Sequence, residues 1–266
     1  MPKLIETSPH TWLFQHDHPE SIDDMLDSAL EMLEVGKLAE AEQFLRDLLF
    51  VHPEHIDALH HMALLYAQTG RRLESYLCTR EAVRLGLAAI PPSFSWLTSR
   101  MYWEHLENRP FMRAYHTFGL ALHHEGRSTE ALEIFARLES INPEDNLGVR
   151  YLLMQSYLDT ADWQAALAVS QRYPNDAGPD IAYSRAIALV QLGQSEEALE
   201  CLKTAIYHSP SVARELLKPK HVRPKAELPG YMLLGGEEQA FDYWERNRVH
   251  WAKNTEVFKL LKMVLT

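Results

Sequence analysis

Residues 109–143 read RPFMRAYHTFGLALHHEGRSTEALEIFARLESINP, and this stretch decides the fold. Counted from Met112 as position 1, small, aromatic and proline residues occupy positions 4, 7, 8, 20, 24 and 32, namely Tyr115, Phe118, Gly119, Ala131, Phe135 and Pro143. Gly126 separates two runs whose apolar residues recur every three or four positions, which predicts two amphipathic helices joined by a tight turn. The stretch therefore predicts a helix-turn-helix repeat unit.

The same unit recurs along the chain. Gly36 and Gly70 lie 34 residues apart, and apolar residues flank both glycines at the same positions. A fourth unit is degenerate because Ala161 stands where the turn glycine is expected, and a fifth restores it with Gly193. This spacing resembles the tetratricopeptide repeat (TPR), and the resemblance implies a protein that binds rather than one that catalyses.

We predict an all-α fold, a right-handed α-solenoid of about five tetratricopeptide repeats with one inserted helix and C-terminal capping helices. Residues 1–20, which contain three prolines, are expected to form an irregular leader. Within an array at 21–210, the repeats are expected at about 22–55, 56–89, 112–145, 147–174 and 179–210. An inserted helix is expected at about 93–107, and 211–266 should hold a connector followed by capping helices at about 237–251 and 255–264.

Several segments outside the repeat consensus resemble a narrower group, the bacterial tetratricopeptide proteins that are similar to the suppressor-of-tumorigenicity-7 proteins. The resemblance covers about 93–262 and rests on four segments, Arg109–Ala114, Asn142–Leu153, Leu228–Tyr231 and Gly235–Ala240. It implies no known enzymatic activity and no cofactor.

Composition limits the classes of partner. The formal net charge of −11 disfavours binding to a nucleic-acid backbone, which requires clustered Lys and Arg, and it favours a basic partner. The N-terminus does not resemble a signal peptide and no apolar run is long enough to span a membrane, so we expect a cytoplasmic protein. Cys78 and Cys201 are expected to be reduced thiols, because a repeat array would hold them too far apart to pair.

Helix geometry predicts a binding face. In the first helix of each repeat, positions 2, 5, 6, 9, 12 and 13 point away from the core and would line a concave groove. The groove candidates are rich in His and Tyr, which suits an extended peptide or a helix; they are His60, His61, Leu64, Arg113, His116, Leu120, His123, Tyr151, Gln155 and Tyr183.

The histidines raise the possibility of a metal site or of pH-sensitive binding. His52 and His55 flank a predicted helix break, and the pairs His60-His61 and His123-His124 diverge by about 100° on a helix. No established metal-binding motif is present, so no metal is assigned and the histidines are interpreted as surface or groove residues. The sequence also contains no phosphate loop, nucleophile elbow or Cys–His arrangement, so no catalytic residue and no cofactor are assigned.

Four charged residues near the third repeat suggest an inter-repeat network of arginine–carboxylate pairs, with direct contact to a ligand as the alternative. They are Arg109, Arg113, Asp145 and Arg150.

The sequence therefore predicts a non-catalytic interaction module, an adaptor or scaffold that binds a peptide or helix in its groove. The alternative is a regulatory sensor whose solenoid binds a small ligand or signalling peptide. Neither the partner, nor the pathway, nor the oligomeric state can be read from these residues.

Overall fold

The computed structural model describes residues 1–225 and 233–265, apart from the side chain of Glu20. The Leu228–Tyr231 segment of the narrower resemblance lies outside the described residues. The chain forms two compact units, Met1–Val149 and Arg150–Thr266. In the described residues, thirteen α-helices make up most of the structure, as the all-α prediction requires.

The first unit contains a β-hairpin and six helices. The strands are β1 (Lys3–Ser8) and β2 (Thr11–Gln15), and a 3₁₀ turn at Leu106–Asn108 precedes the fifth helix. The helices pair as α1 (Glu20–Glu34) with α2 (Leu38–Val51), α3 (Ile56–Gln68) with α4 (Arg72–Ala88), and α5 (Arg109–His124) with α6 (Ser128–Ile141).

The second unit begins within the seventh helix and contains the remaining ones. They are α7 (Val149–Asp159), α8 (Trp163–Arg172), α9 (Pro179–Gln191), α10 (Ser195–His208), α11 (Pro210–Leu216), α12 (Glu237–Lys253) and α13 (Thr255–Leu265). Helix α11 was not predicted, because Pro210 was interpreted as the end of a repeat. Proline suits the first helical turn, where its missing N–H costs nothing, and here it starts a helix.

Residues 1–20 are not an irregular leader, and that prediction was wrong. β1 and β2 pair in antiparallel register from Lys3 opposite Gln15 to Ser8 opposite Thr11. Leu4, Trp12 and Phe14 are buried on one face of the hairpin. Trp12 meets the ring of Phe94 at 5.4 Å between centroids, so the hairpin covers the segment between α4 and α5.

The predicted inserted helix at 93–107 is also wrong, because the backbone of this segment bonds to other elements. Arg100 N–H donates to the carbonyl of His10 at 2.7 Å, and Met101 N–H donates to the carbonyl of Ile141 at 2.8 Å. An α-helix would need these groups for its own hydrogen bonds. The segment instead forms turns that end in the 3₁₀ turn at Leu106–Asn108.

Asn108 joins the hairpin to this segment and is fully buried. Its Oδ1 accepts from Phe14 N–H at 3.0 Å. Its Nδ2 donates to the carbonyls of Trp12 and Tyr102, both at 3.2 Å. One side chain thus satisfies three backbone groups inside the first unit.

The turns between paired helices share one backbone conformation. Gly36, Gly70, Gly126 and Gly193 have φ of 75–77°, the left-handed region that a residue without Cβ adopts at little cost. Ala161 occupies the same place between α7 and α8 with φ of 57°. The degenerate fourth repeat therefore keeps the turn at the expense of strain.

The proline-marked connector of the second unit packs against α11 and α12. The buried carboxylate of Glu215 accepts from Lys218 at 2.5 Å and lies 2.9 Å from Nδ1 of His221. The His221 ring stacks on Trp244 at 3.8 Å between centroids. The described connector residues are therefore held in place although they form no helix.

Replacing Asn108 with alanine is expected to destabilise the protein by about 2–4 kcal/mol, since three buried backbone groups lose their partner. The free energy of unfolding in urea measures this change. Asn146→Ala, at an exposed loop position, is the matched control and should change stability by no more than about 0.5 kcal/mol. Equal effects of the two substitutions would contradict the assigned role of Asn108.

Replacing Ala161 with glycine is expected to stabilise the protein by about 1 kcal/mol, because glycine removes the Cβ penalty of the left-handed turn. Gly193→Ala is the reverse substitution in the equivalent turn of the next repeat, and it should destabilise by a similar amount. Urea unfolding of both variants checks the pair. A loss of stability in Ala161→Gly would show that strain does not dominate at this turn.

Candidate functional site

The facing first helices of repeats two and three are linked by an ion pair. Arg113 on α5 donates through Nη2 to both carboxylate oxygens of Asp57 on α3, at 2.8 and 2.9 Å. His61 Nε2 lies 3.6 Å from the same carboxylate. Arg113 therefore fixes two neighbouring repeats to each other rather than standing free in a groove.

The groove histidines of the first unit are more buried than their helix positions predict. His60 is only 4% exposed, and burial lowers its pKa to about 3, with neighbouring His61 and Arg113 adding to the shift. Burial likewise lowers the pKa of His61 and of His116. These rings are neutral at neutral pH, so they offer a partner little positive charge, and His60 is a core residue rather than a contact residue.

An open cavity of about 830 Å³ lies between α3, α4 and α5. Leu73 on α4 is 67% exposed there, and Leu120 on α5 is partly exposed. The apolar side chains that line it are Ala67, Leu73, Tyr76, Leu120 and Ala121. We call this the α3–α5 cavity.

The rim of the α3–α5 cavity is charged. Arg127 holds Glu130 through a bidentate contact at 2.6 and 2.7 Å, and its Nη1 lies 3.4 Å from the hydroxyl of Tyr76. Arg72 lies 3.6 Å from Glu125 in an exposed pair. The site thus combines an apolar floor with a polar border, the usual composition of a recognition pocket.

In the second unit, helix α12 covers the face that was predicted to form the groove. Tyr183 on α9 is fully buried, and its ring contacts Tyr243 and Trp251 of α12 at 5.7 and 6.4 Å between centroids. Its hydroxyl donates to the carbonyl of Ser209 at 2.7 Å. Tyr183 is therefore closed to an outside partner, and its assignment as a groove residue was wrong.

The predicted groove residue Gln155 and two nearby acidic residues of the second unit also contact α12. Gln155 Nε2 and an oxygen of Asp159 lie 3.1 and 2.8 Å from Nε2 of His250. Arg246 pairs with the carboxylate of Asp180 at 2.9 and 3.0 Å. Helix α12 of the same chain thus occupies predicted groove positions of repeats four and five.

Each residue of the predicted arginine network has a partner of its own. Arg109 donates to the carbonyl of Trp103 at 2.8 Å, and Asp145 accepts from Val149 N–H at 2.6 Å, where it caps α7. Arg150 donates to Asp176 at 2.5 Å and to the hydroxyl of Tyr151 at 2.6 Å. A link between Asp145 and Arg150 stays a prediction. Binding of a partner by His61, Leu64, His116 and His123 also stays a prediction.

A second cavity, of about 740 Å³, lies within the second unit between the α8–α9 loop, α9 and α10. Its lining includes Arg185, Glu196, Glu200 and Cys201. Burial raises the pKa of the Cys201 thiol to about 11, and its Sγ donates to the carbonyl of Ala182. The thiol is therefore protonated at neutral pH and unsuited to nucleophilic attack.

One predicted groove residue lines the α3–α5 cavity. Leu120 lines it, whereas Leu73 and Tyr76 belong to α4, and the prediction considered only the first helix of each repeat. Leu73, an apolar residue in the polar first turn of α4, was the signal in the sequence that could have indicated this surface. In α12, the buried residues Tyr243, Asn247 and Trp251 recur every four positions, a pattern that marked an apolar stripe but not the surface that receives it.

Among residues 1–225 and 233–265, no helix combines the length and apolar character that crossing a bilayer requires.

Solved structures of low sequence identity share the fold. YrrB, described as a TPR protein with an unusual peptide-binding site, is 18% identical, with a TM-score of 0.52 over 70% of this chain and 85% of YrrB. MamA is 15% identical, with a TM-score of 0.53 over 76% of this chain and 99% of MamA. MamA from Desulfovibrio magneticus RS-1 is 12% identical, with a TM-score of 0.53 over 72% and 96%. These matches confirm a TPR-like helical fold.

No curated protein matches the chain. A family described as Transcriptional repressor TCF25 matches residues 28–260, from within α1 to within α13. This family is not the suppressor-of-tumorigenicity-7 group that the narrower resemblance named. Because the match spans most of the sequence, the chain belongs to the Tcf25 family.

Proposed function

We propose that this protein is a non-catalytic interaction module and that the α3–α5 cavity is its partner-binding site. The observation that supports the proposal most is the open, apolar floor of that cavity, with Leu73 67% exposed beside Tyr76 and Leu120. Exposed apolar surface bordered by charged residues is typical of protein-binding sites.

The partner segment is proposed to be short. A cavity of about 830 Å³ is within the usual range for ligand pockets and accommodates a few large side chains rather than a protein surface. The Arg72–Glu125 and Arg127–Glu130 pairs at its rim are exposed and can exchange partners at little cost. A peptide or helix that inserts two or three apolar side chains fits these limits.

The second unit supports a helix as the inserted element. Counted from the turn glycines Gly126 and Gly193, Thr117 and Leu120 of α5 hold the same repeat positions as Ser184 and Ile187 of α9. Ser184 contacts the hydroxyl of Tyr243 on α12 at 3.3 Å. The equivalent face of repeat five thus already receives an aromatic, amphipathic helix.

The family description supplies a context for this binding. A transcriptional repressor can act through protein contacts, and the net charge of −11 makes direct contact with the DNA backbone unfavourable. We therefore propose that the chain contributes a protein contact within a repressor complex. The basic partner and the cytoplasmic location inferred from the sequence stay predictions.

The test uses peptides selected from a random display library on the wild-type protein. The double variant Leu73→Asp, Leu120→Asp is expected to bind the selected peptides at least about tenfold more weakly than the wild type. Each substitution places a charge on the apolar floor of the cavity. Fluorescence anisotropy measures the affinity, and circular dichroism verifies that the variant stays helical.

Leu106→Asp is the matched control. Leu106 is 64% exposed and lies outside the α3–α5 cavity, so this substitution adds a charge without touching the proposed site. Equal binding of the selected peptides to the double variant and to the control would refute the assignment.

A further inference from the structure

Two histidine pairs that are distant in sequence meet in the first unit. The segment between β2 and α1 carries His16-Asp17-His18, and the turn between α2 and α3 carries His52-Pro53-Glu54-His55. The ring of His18 lies 4.9 Å from that of His55 and 6.4 Å from that of His52, measured between centroids. His16 lies 6.2 Å from His18.

These side chains enclose a cavity of about 20 Å³, which Asp17 and Glu54 also line. That volume admits one water-sized species and excludes an organic ligand. Its lining offers imidazole nitrogens and carboxylate oxygens, the donors that bind zinc and related divalent ions.

Two of these donors already converge with a third from α1. One ligand atom each from His18, Asp23 and His55 lie within 4.8 Å of one another, and His18 Nδ1 is 3.7 Å from Asp23 Oδ1. Zinc holds such atoms at about 2.0–2.2 Å, so the donors must approach one another further, which rotation of the exposed Asp23 side chain allows.

Two buried nitrogens at this place lack hydrogen-bond partners among the described residues, His18 Nδ1 and His55 Nε2. A buried polar atom without a partner costs about 1–3 kcal/mol, and two such atoms side by side are unusual in a stable structure. A cation between them would be a partner for both nitrogens once the His55 tautomer places its lone pair on Nε2.

We propose that His18, Asp23 and His55 form a binding site for a divalent transition-metal ion of the Zn²⁺ class. The fourth ligand is a water molecule or one of the neighbouring imidazoles of His52 and His16. His16 Nε2 lies 3.1 Å from the carbonyl of Glu107, a contact that leaves Nδ1 as the lone-pair nitrogen. Carbonyl contacts of this kind orient metal-binding histidines.

The site has one local cost. His55 Nδ1 accepts from Ala58 N–H at 3.2 Å and so caps α3. Coordination through Nε2 places the proton on Nδ1 and removes that capping bond. Capping contributes about 1 kcal/mol, which is small beside the binding free energy of a structural zinc ion.

A bound ion would tie the segment that follows the hairpin to the start of repeat two. His18 and Asp23 lie on either side of the beginning of α1, and His55 is the residue before α3. The metal would therefore act as a structural clamp within the first unit, independently of the α3–α5 cavity.

The test titrates Zn²⁺ into the full-length chain after removal of metals with EDTA. By isothermal titration calorimetry, the wild type is expected to bind one ion per chain at least about tenfold more tightly than His18→Gln or His55→Asn. Asparagine is chosen at position 55 because it also caps helices, which limits the effect to the lost ligand. Zn²⁺ should raise the Tm of the wild type and leave that of both variants unchanged.

His124→Gln is the matched control, since His124 is exposed beside another histidine but far in sequence from the cluster. It should bind Zn²⁺ like the wild type. Equal affinity in His18→Gln and the wild type would overturn the proposal, and so would a total lack of Zn²⁺ binding by the wild type. If either variant fails to fold, the visible absorption spectrum of the wild type with Co²⁺ is the deciding measurement. Weak bands alone, which are typical of an octahedral ion, would then refute the proposed site.

Discussion

Burial of one apolar face of each helix pair against the next is the interaction on which the whole structure depends. A repeat cannot bury that face by itself, so it must pack against a neighbouring repeat or against another element that covers the face. In the first unit, the β-hairpin buries Trp12 against Phe94 of the segment that interrupts the repeats, and Phe14 against Phe111 of α5. In the second, α12 and α13 bury Tyr243, Trp251 and Leu261 on the last repeat. The open α3–α5 cavity of the first unit contrasts with the covered face of the second.

How much of this could be predicted follows from the range of the interactions. Helix pairs rest on local spacing and turn glycines, so Gly36, Gly70, Gly126 and Gly193 located their turns from the sequence. The hairpin depends on Asn108, more than ninety residues away from its partners Phe14 and Trp12. No local pattern carries that information. The segment 93–107 has aromatic residues at helical spacing, yet its backbone groups are taken by His10 and Ile141.

At the candidate site, too, local features could be predicted and long-range contacts could not. Helix geometry placed Leu120 on a predicted groove face, and Leu120 lines the α3–α5 cavity. It could not foresee that α12 closes the equivalent face of repeat five, because the covering residues lie far along the chain. It also weighed the histidines only by local sequence, namely by helical angle, helix break and motif. His18 and His55 meet across a segment boundary, where a helical wheel has no meaning.

Because α12 covers the face of α9 in the second unit, an outside helix would have to compete with α12 for that face. Helix α12 belongs to the same chain as α9, so it meets its binding face at an effective concentration of the order of millimolar, whatever the protein concentration. An outside helix that uses the same face must overcome this local excess as well as the buried contacts of Tyr243 and Trp251. The covalent connection therefore makes one face of the protein selective against weak ligands, while the first unit stays responsive to them.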